Sequence, residues 1–116
     1  NNHAYDCLEP GFERTVSALE KNGILYVGAG LNQKDAQEPL LLTVGSLQVG
    51  ILAYNDPATN PCLPEGVDFA INTLGEDRAI SEVGQLAKCS DCVVVSLHWG
   101  VDYFHYPAPA PDRACR

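Results

Sequence analysis

The order of patterns along the chain (helix, strand, hairpin, helix, strand) predicts an α/β fold in which helices layer onto a mixed sheet. Three observations carry this reading. Apolar residues recur at helical spacing in two windows, residues 11–22 and 76–88. Leu40 to Val44 and Leu47 to Tyr54 flank Gly45-Ser46, a pattern that reads as two strands around a tight turn. Cys92 to Leu97 is apolar with almost no polar alternation, as expected of a strand buried on both faces in a helix-covered parallel sheet. These elements do not add up to a complete sheet, so the expectation is an incomplete layer with strands missing on both sides.

Each element follows from local chemistry. In 11–22, Phe12, Val16 and Leu19 fall on one helical face, with Glu13, Arg14, Glu20 and Lys21 off it. Pro10 stands before that window and Gly23 after it, as helix punctuation favours. Ile24 to Val27 reads as a short strand, and Gly28-Ala29-Gly30 as a tight turn. A phosphate cradle there is a weaker reading, since no third Gly or Lys-Ser/Thr follows. Asn55 to Gly75 holds several turn residues and reads as a long loop, a place where function often sits. In 76–88, Ile80, Val83, Leu86 and Ala87 form the predicted inner face. Beyond Asp102, Pro107, Pro109 and Pro111 block regular structure. The whole of 1–116 is expected to be part of a single domain.

Composition narrows the function classes. The apolar fraction of 46% suits an ordinary globular core, and a formal charge of −8 disfavours a nucleic-acid partner. Apolar runs are strand-sized, so membrane association is expected only through segments outside this sequence. The sequence opens without Met or a basic-apolar leader, which predicts an internal excerpt of a longer protein. Its five Cys are too few for a disulfide scaffold. Cys89 and Cys92 have Cys-x-x-Cys spacing, but no second pair completes a four-sulfur zinc site. They are expected to be buried, inert thiols without a metal or redox role.

His98 is the strongest chemical candidate on physical grounds. It ends the most apolar strand, and ligands in α/β sheets collect beyond strand C-termini. Its imidazole could bind a metal or move a proton, or simply hydrogen-bond at a loop edge. Asn1-Asn2-His3-Ala4-Tyr5-Asp6 gathers an amide, an imidazole and a carboxylate, donors suited to divalent metals, or else forms a polar loop before a helix. Asp102 could orient His98 from behind, and Asp6 is a similar reserve.

Two separated motifs then act together. Asn1-Asn2-His3-Ala4-Tyr5-Asp6 resembles the Asn-Asn-His-Ala-x-Asp motif of the poly-γ-glutamate capsule-synthesis (CapA-type) family. Ser96-Leu97-His98-Trp99-Gly100-Val101-Asp102-Tyr103 resembles its Ser-Leu-His-Trp-Gly-x-Glu-Tyr motif. Between them, Gly23-Ile24 through Gly28-Ala29-Gly30, then Ala36, Pro39 and Ala53-Tyr54-Asn55-Asp56, follow the family's order. Departures are Asp102 in place of Glu, Cys7-Leu8, Cys89, Cys92 and Ala110-Pro111.

The resemblance implies a metallophosphoesterase-like layered fold of the calcineurin-like superfamily. It implies Asn2 and His98 as metal ligands and His3 as a proton-donating acid. It also implies divalent metal ions (manganese, magnesium, zinc or iron) acting on a phosphoester or envelope-polymer substrate. The superfamily's earlier acidic residues and its later Gly-His-x-His segment are absent, so residues 1–116 alone are expected to be inactive. Two functions fit: metal-dependent phosphoester chemistry in capsule or envelope-polymer synthesis, or a non-catalytic assembly or export subunit on the same fold. The resemblance alone suggests a cell-envelope or extracytoplasmic setting.

Overall fold

The computed structural model describes residues 2–58, 67 and 69–100, with only the backbone of Asn2 and Tyr5. A 3-10 turn (Asn2–Tyr5) leads into α1 (Leu8–Lys21), β1 (Ala29–Gly30), α2 (Gln33–Gln37), β2 (Leu40–Val44), β3 (Leu47–Asn55), β4 (Ala70–Ile71), α3 (Glu76–Leu86) and β5 (Cys92–His98). β2, β3 and β5 form a three-stranded sheet in that order, with β2 antiparallel and β5 parallel to β3. β1 and β4 pair antiparallel. The mixed α/β fold read from the sequence is therefore present. No helix among the described residues is long and apolar enough to cross a membrane.

α1 starts at Leu8, three residues before the predicted window, and carries Pro10 in its first turn. Proline is tolerated there because the first N–H groups of a helix have no partner within it. The helix ends in paired backbone bonds, Gly23 N–H to Glu20 C=O (3.0 Å) and Ile24 N–H to Leu19 C=O (2.9 Å). These satisfy carbonyls that would otherwise be orphaned. Phe12 and Val16 bury the inner face against Phe69 and Ile71. The Phe12 and Phe69 rings stack with centroids 4.8 Å apart. Such a contact is worth about 0.5–1.5 kcal/mol beyond the area it buries.

The predicted strand at Ile24–Val27 is not formed. Ile24 and Leu25 are exposed, and the ladder begins later, where Ala29 and Gly30 face Ile71 and Ala70. Two-residue strands of this kind have no alternation to reveal them. α2 was not anticipated either. It is capped by Asn32, whose side chain accepts from Asp35 N–H (3.0 Å).

The hairpin is as predicted, one residue longer at its end, with Val44 facing Leu47 and Leu40 facing Ile51. α3 lies over β3, where Leu86 joins Leu52 and Tyr54 in a second core, with Ala79 and Val83 packed against it. A Cβ on Gly50 would sit 2.5 Å from Leu86 Cγ, so only glycine permits this approach. Ile80, expected inward, is 73% exposed, because the stripe that meets the sheet is Ala79, Val83 and Leu86. Ala87 lies beyond the helix end and is exposed.

The expected two-sided burial of β5 is not found. Val94, Val95 and Leu97 are exposed. β5 is at the outside of its sheet and α3 covers its neighbour β3, so only Val93 packs against the core. Cys92 and Cys89 are likewise exposed free thiols rather than buried ones. Cys92 opens the edge strand, and Cys89 sits in the turn after α3 with its thiol on Leu86 C=O (3.3 Å).

Candidate functional site

The C-terminal ends of the parallel strands β3 and β5 lie side by side. Asn55 faces His98 in the last rung of their ladder, and Asp56 N–H donates to His98 C=O (2.9 Å). The sequence places His98 here because a run that is apolar except for Ser96 pairs along β3, and His98 falls where the run ends. His98 is half-buried and Asn55 fully buried. Asp56 turns the chain away by accepting Ala58 N–H on its side chain (2.9 Å). An imidazole beside a buried amide at a strand end can hydrogen-bond or ligate a bound group.

Asn72 joins this end to the rest of the molecule. It is 1% exposed and sits just after β4. Its C=O accepts Asn55 N–H (2.9 Å) and its N–H donates to Gly28 C=O (2.9 Å). Its side-chain Nδ2 donates to Ala53 C=O (3.0 Å). Gly28 closes the junction with φ +86°, and a Cβ there would meet Ala53 Cβ at 2.7 Å. Sequence reasoning passed over Asn72 inside a long loop. The available signal was one amide directly after the apolar Phe69-Ala70-Ile71.

The N-terminal motif forms a second constellation. His3 Nδ1 lies 2.9 Å from Asp6 Oδ2, with both side chains largely exposed. Asp6 thus stands behind His3, where a carboxylate fixes the ring's orientation. The 3-10 turn is anchored through Ala4, which packs on the cluster of Phe12, Val16, Phe69 and Ile71. The expectation for Asn2 falls on a side chain outside the described atoms. Asp102 lies outside the described residues, as do the Pro-rich stretch and most of the 59–68 segment.

Other polar features are structural in their geometry. Tyr54 donates to Glu82 (2.6 Å), which also pairs with Arg78 (2.8 Å), and Arg78 reaches Thr73 C=O. Burial pushes the Tyr54 hydroxyl pKa up strongly, the Glu82 hydrogen bond and charge add to it, and Arg78 opposes them. An open cleft of about 420 Å³ runs between Tyr26, Leu40 and the acidic Glu20, Asp35 and Glu38. None of the sequence-predicted site residues lines it.

A two-metal phosphoesterase centre needs several carboxylate and imidazole donors close together. Among the described residues no group of three or more His, Cys, Asp and Glu could hold an ion. His98 offers one imidazole at the strand end, with no such group around it among the described residues. The described residues do not make up a complete centre.

A model of the family "Bacterial capsule synthesis protein PGA_cap" matches residues 1–116. The chain is 26% identical over 120 residues to the capsule biosynthesis protein CapA of Bacillus anthracis, covering 100% of this chain and 29% of that protein. It is 30% identical over 121 residues to a probable polyglutamine synthesis accessory protein of Mycobacterium tuberculosis, covering 94% of this chain and 32% of that protein. The chain therefore spans less than a third of the length of these curated relatives.

Proposed function

The chain belongs to the PGA_cap family of bacterial capsule synthesis proteins, and from that premise we propose that it serves capsule or envelope-polymer synthesis through metal-dependent phosphoester chemistry. One observation supports the finer part of this reading: His98 ends a parallel strand directly opposite the buried Asn55. In this reading His98 and Asn2 would be among the residues that hold a divalent ion, manganese, magnesium, zinc or iron. Asp6 holds His3 as the acid that protonates a leaving oxygen. Asp102 supports His98, and further carboxylates come from outside the described residues. The described residues themselves orient His3 through Asp6 and present His98 at the end of β5. The substrate is a phosphoester or a related bond of an envelope polymer.

A second reading, a non-catalytic assembly or export subunit, is favoured by one observation: the described residues contain no complete ligand group. Hydrolysis of p-nitrophenyl phosphate and its bis-ester, with manganese, magnesium or zinc supplied, separates the two. Residues 1–116 alone should turn over negligibly. The full-length protein should show metal-dependent turnover that is lost on His98→Ala. His3→Ala should lower it by roughly the 10²–10⁴-fold that a positioned acid supplies. Wild-type turnover after His98→Ala would remove the ligand assignment. Polymer synthesis that persists in a full-length protein without any hydrolysis would establish the assembly reading.

A further inference from the structure

We infer that the free edge of β5 is an internal position of a larger parallel sheet, completed by a helix-and-strand unit of the longer polypeptide from outside residues 1–116. Among the described residues β5 pairs on one side only, with β3. Natural edge strands are blunted by charges, proline, bulges or short length. β5 has none of these. Its seven residues, Cys92–His98, include no Lys, Arg, Asp, Glu or Pro, and each pairs one-to-one along β3 without a bulge. Both of its faces are apolar and open. Val95 and Leu97 share rungs, and hence a face, with Leu52 and Tyr54 under α3, yet they are 40% and 54% exposed. Val94, beside Ile51 on the other face, is 46% exposed.

The chemistry of this surface selects its occupant. A strand that is apolar on both faces belongs inside a parallel sheet covered by helices. A parallel neighbour is reached through a crossover, usually a helix, and such crossovers share one hand. β3, α3 and β5 form one crossover of this kind. Because the hand is shared, a further step past β5 lays its helix on the α3 face, beside α3. The groove there is apolar and uncovered. Glu82 and Gln85 of α3 turn toward Leu41 of β2, so the opposite flank of the helix, with Ile80, stands toward β5. Ile80 is 73% exposed, and with Val95 and Leu97 it offers a seat for an amphipathic helix. The relatives have chain to supply such a unit, since this sequence covers only 29% and 32% of their length. Docking there gives β5 the two-sided burial that its composition predicts.

The test uses the full-length protein. Hydrogen exchange of the β5 backbone amides is followed at falling protein concentration, with molar mass read by light scattering. All amides from Val93 to Leu97 should exchange at least about 100-fold more slowly than those of the Gly45-Ser46 turn, and dilution to the monomer should not change this. Fast exchange at alternate residues, the mark of an open edge, overturns the inference. Protection that disappears as an oligomer dissociates assigns the edge to a second copy and overturns it equally. Val95→Lys should lower the thermal midpoint by about 5–15 °C, because the charge would enter a packed face. Ser81→Lys, on the exposed outer side of α3, should leave it within about 2 °C. A Val95→Lys protein as stable as Ser81→Lys overturns the inference. The exchange measurement needs no substitution, so it decides the matter even where Val95→Lys does not fold.

Discussion

His98 closes a strand in which every residue has a partner on β3, whereas His3 stands in a four-residue turn anchored by one alanine on a small cluster. In the first case the backbone position is fixed many times over, and a single substitution elsewhere in the ladder should not move it far. In the second the ring pairs with an exposed carboxylate, and the turn is held by packing at a distance. The two constellations thus draw on different sources of order. The strand end draws on cooperative hydrogen bonding, and the turn on a satellite of the α1 core.

The contrast can be broken most forcefully from beneath the strand end. Gly50→Val places atoms where Leu86 already sits, 2.5–2.8 Å from the new Cβ. It should cost about 1–3 kcal/mol, read as a lower midpoint in urea unfolding with little change in slope. A variant as stable as wild type would mean that α3 does not pack on β3 as described.

A smaller effect is expected at Tyr54, whose hydroxyl ties β3 to Glu82 of α3. Tyr54→Phe should cost about 1–2 kcal/mol near neutral pH. The folded-state pKa of Tyr54 is raised, so its contribution is complete below the ordinary tyrosine value of about 10. It is lost as pH climbs above that value. Wild-type stability should therefore fall more steeply than that of Tyr54→Phe at alkaline pH. Parallel curves for the two proteins would contradict the buried hydrogen bond.

The smallest effect belongs to the turn. His3 and Asp6 are 70% and 62% exposed, so Asp6→Asn should change stability by less than about 0.5 kcal/mol. The His3 ring should nevertheless reorient, visible as a change in its NMR signals. A loss of stability comparable to that of Gly50→Val would show that the turn is part of the main framework and would erase the contrast.

Legibility in the sequence followed the same division. The hairpin could be read because Gly45-Ser46 sits between two apolar runs, and both strands formed there. α1 and α3 could be read from their periodicity, although Ile80 shows that an apolar residue next to the stripe need not face inward. β5 could be read as a strand but not as an edge. Its composition states what it could bury, while the elements around it decide what it does bury. β1 and β4 were hidden because two residues carry no period. In the candidate site, His98 was legible from its place at a strand end, and His3 and Asp6 as members of one polar cluster but not as a pair. Asn72 was not, since its role depends on which backbones pass beside it.

The parallel pairing of β3 with β5 has a further consequence, in time rather than in space. β2 and β3 meet across a two-residue turn, a closure of the microsecond kind. β5 reaches β3 only after the chain has travelled far. Asp91 receives Gln48 N–H across a separation of 43 residues, with α3 lying between. Closing so long a loop costs entropy before any contact returns it. The hairpin therefore stands ready as a template while α3 and β5 dock onto it late. The rung that sets Asn55 beside His98 belongs to that long-range ladder, so the two meet only once this loop has closed.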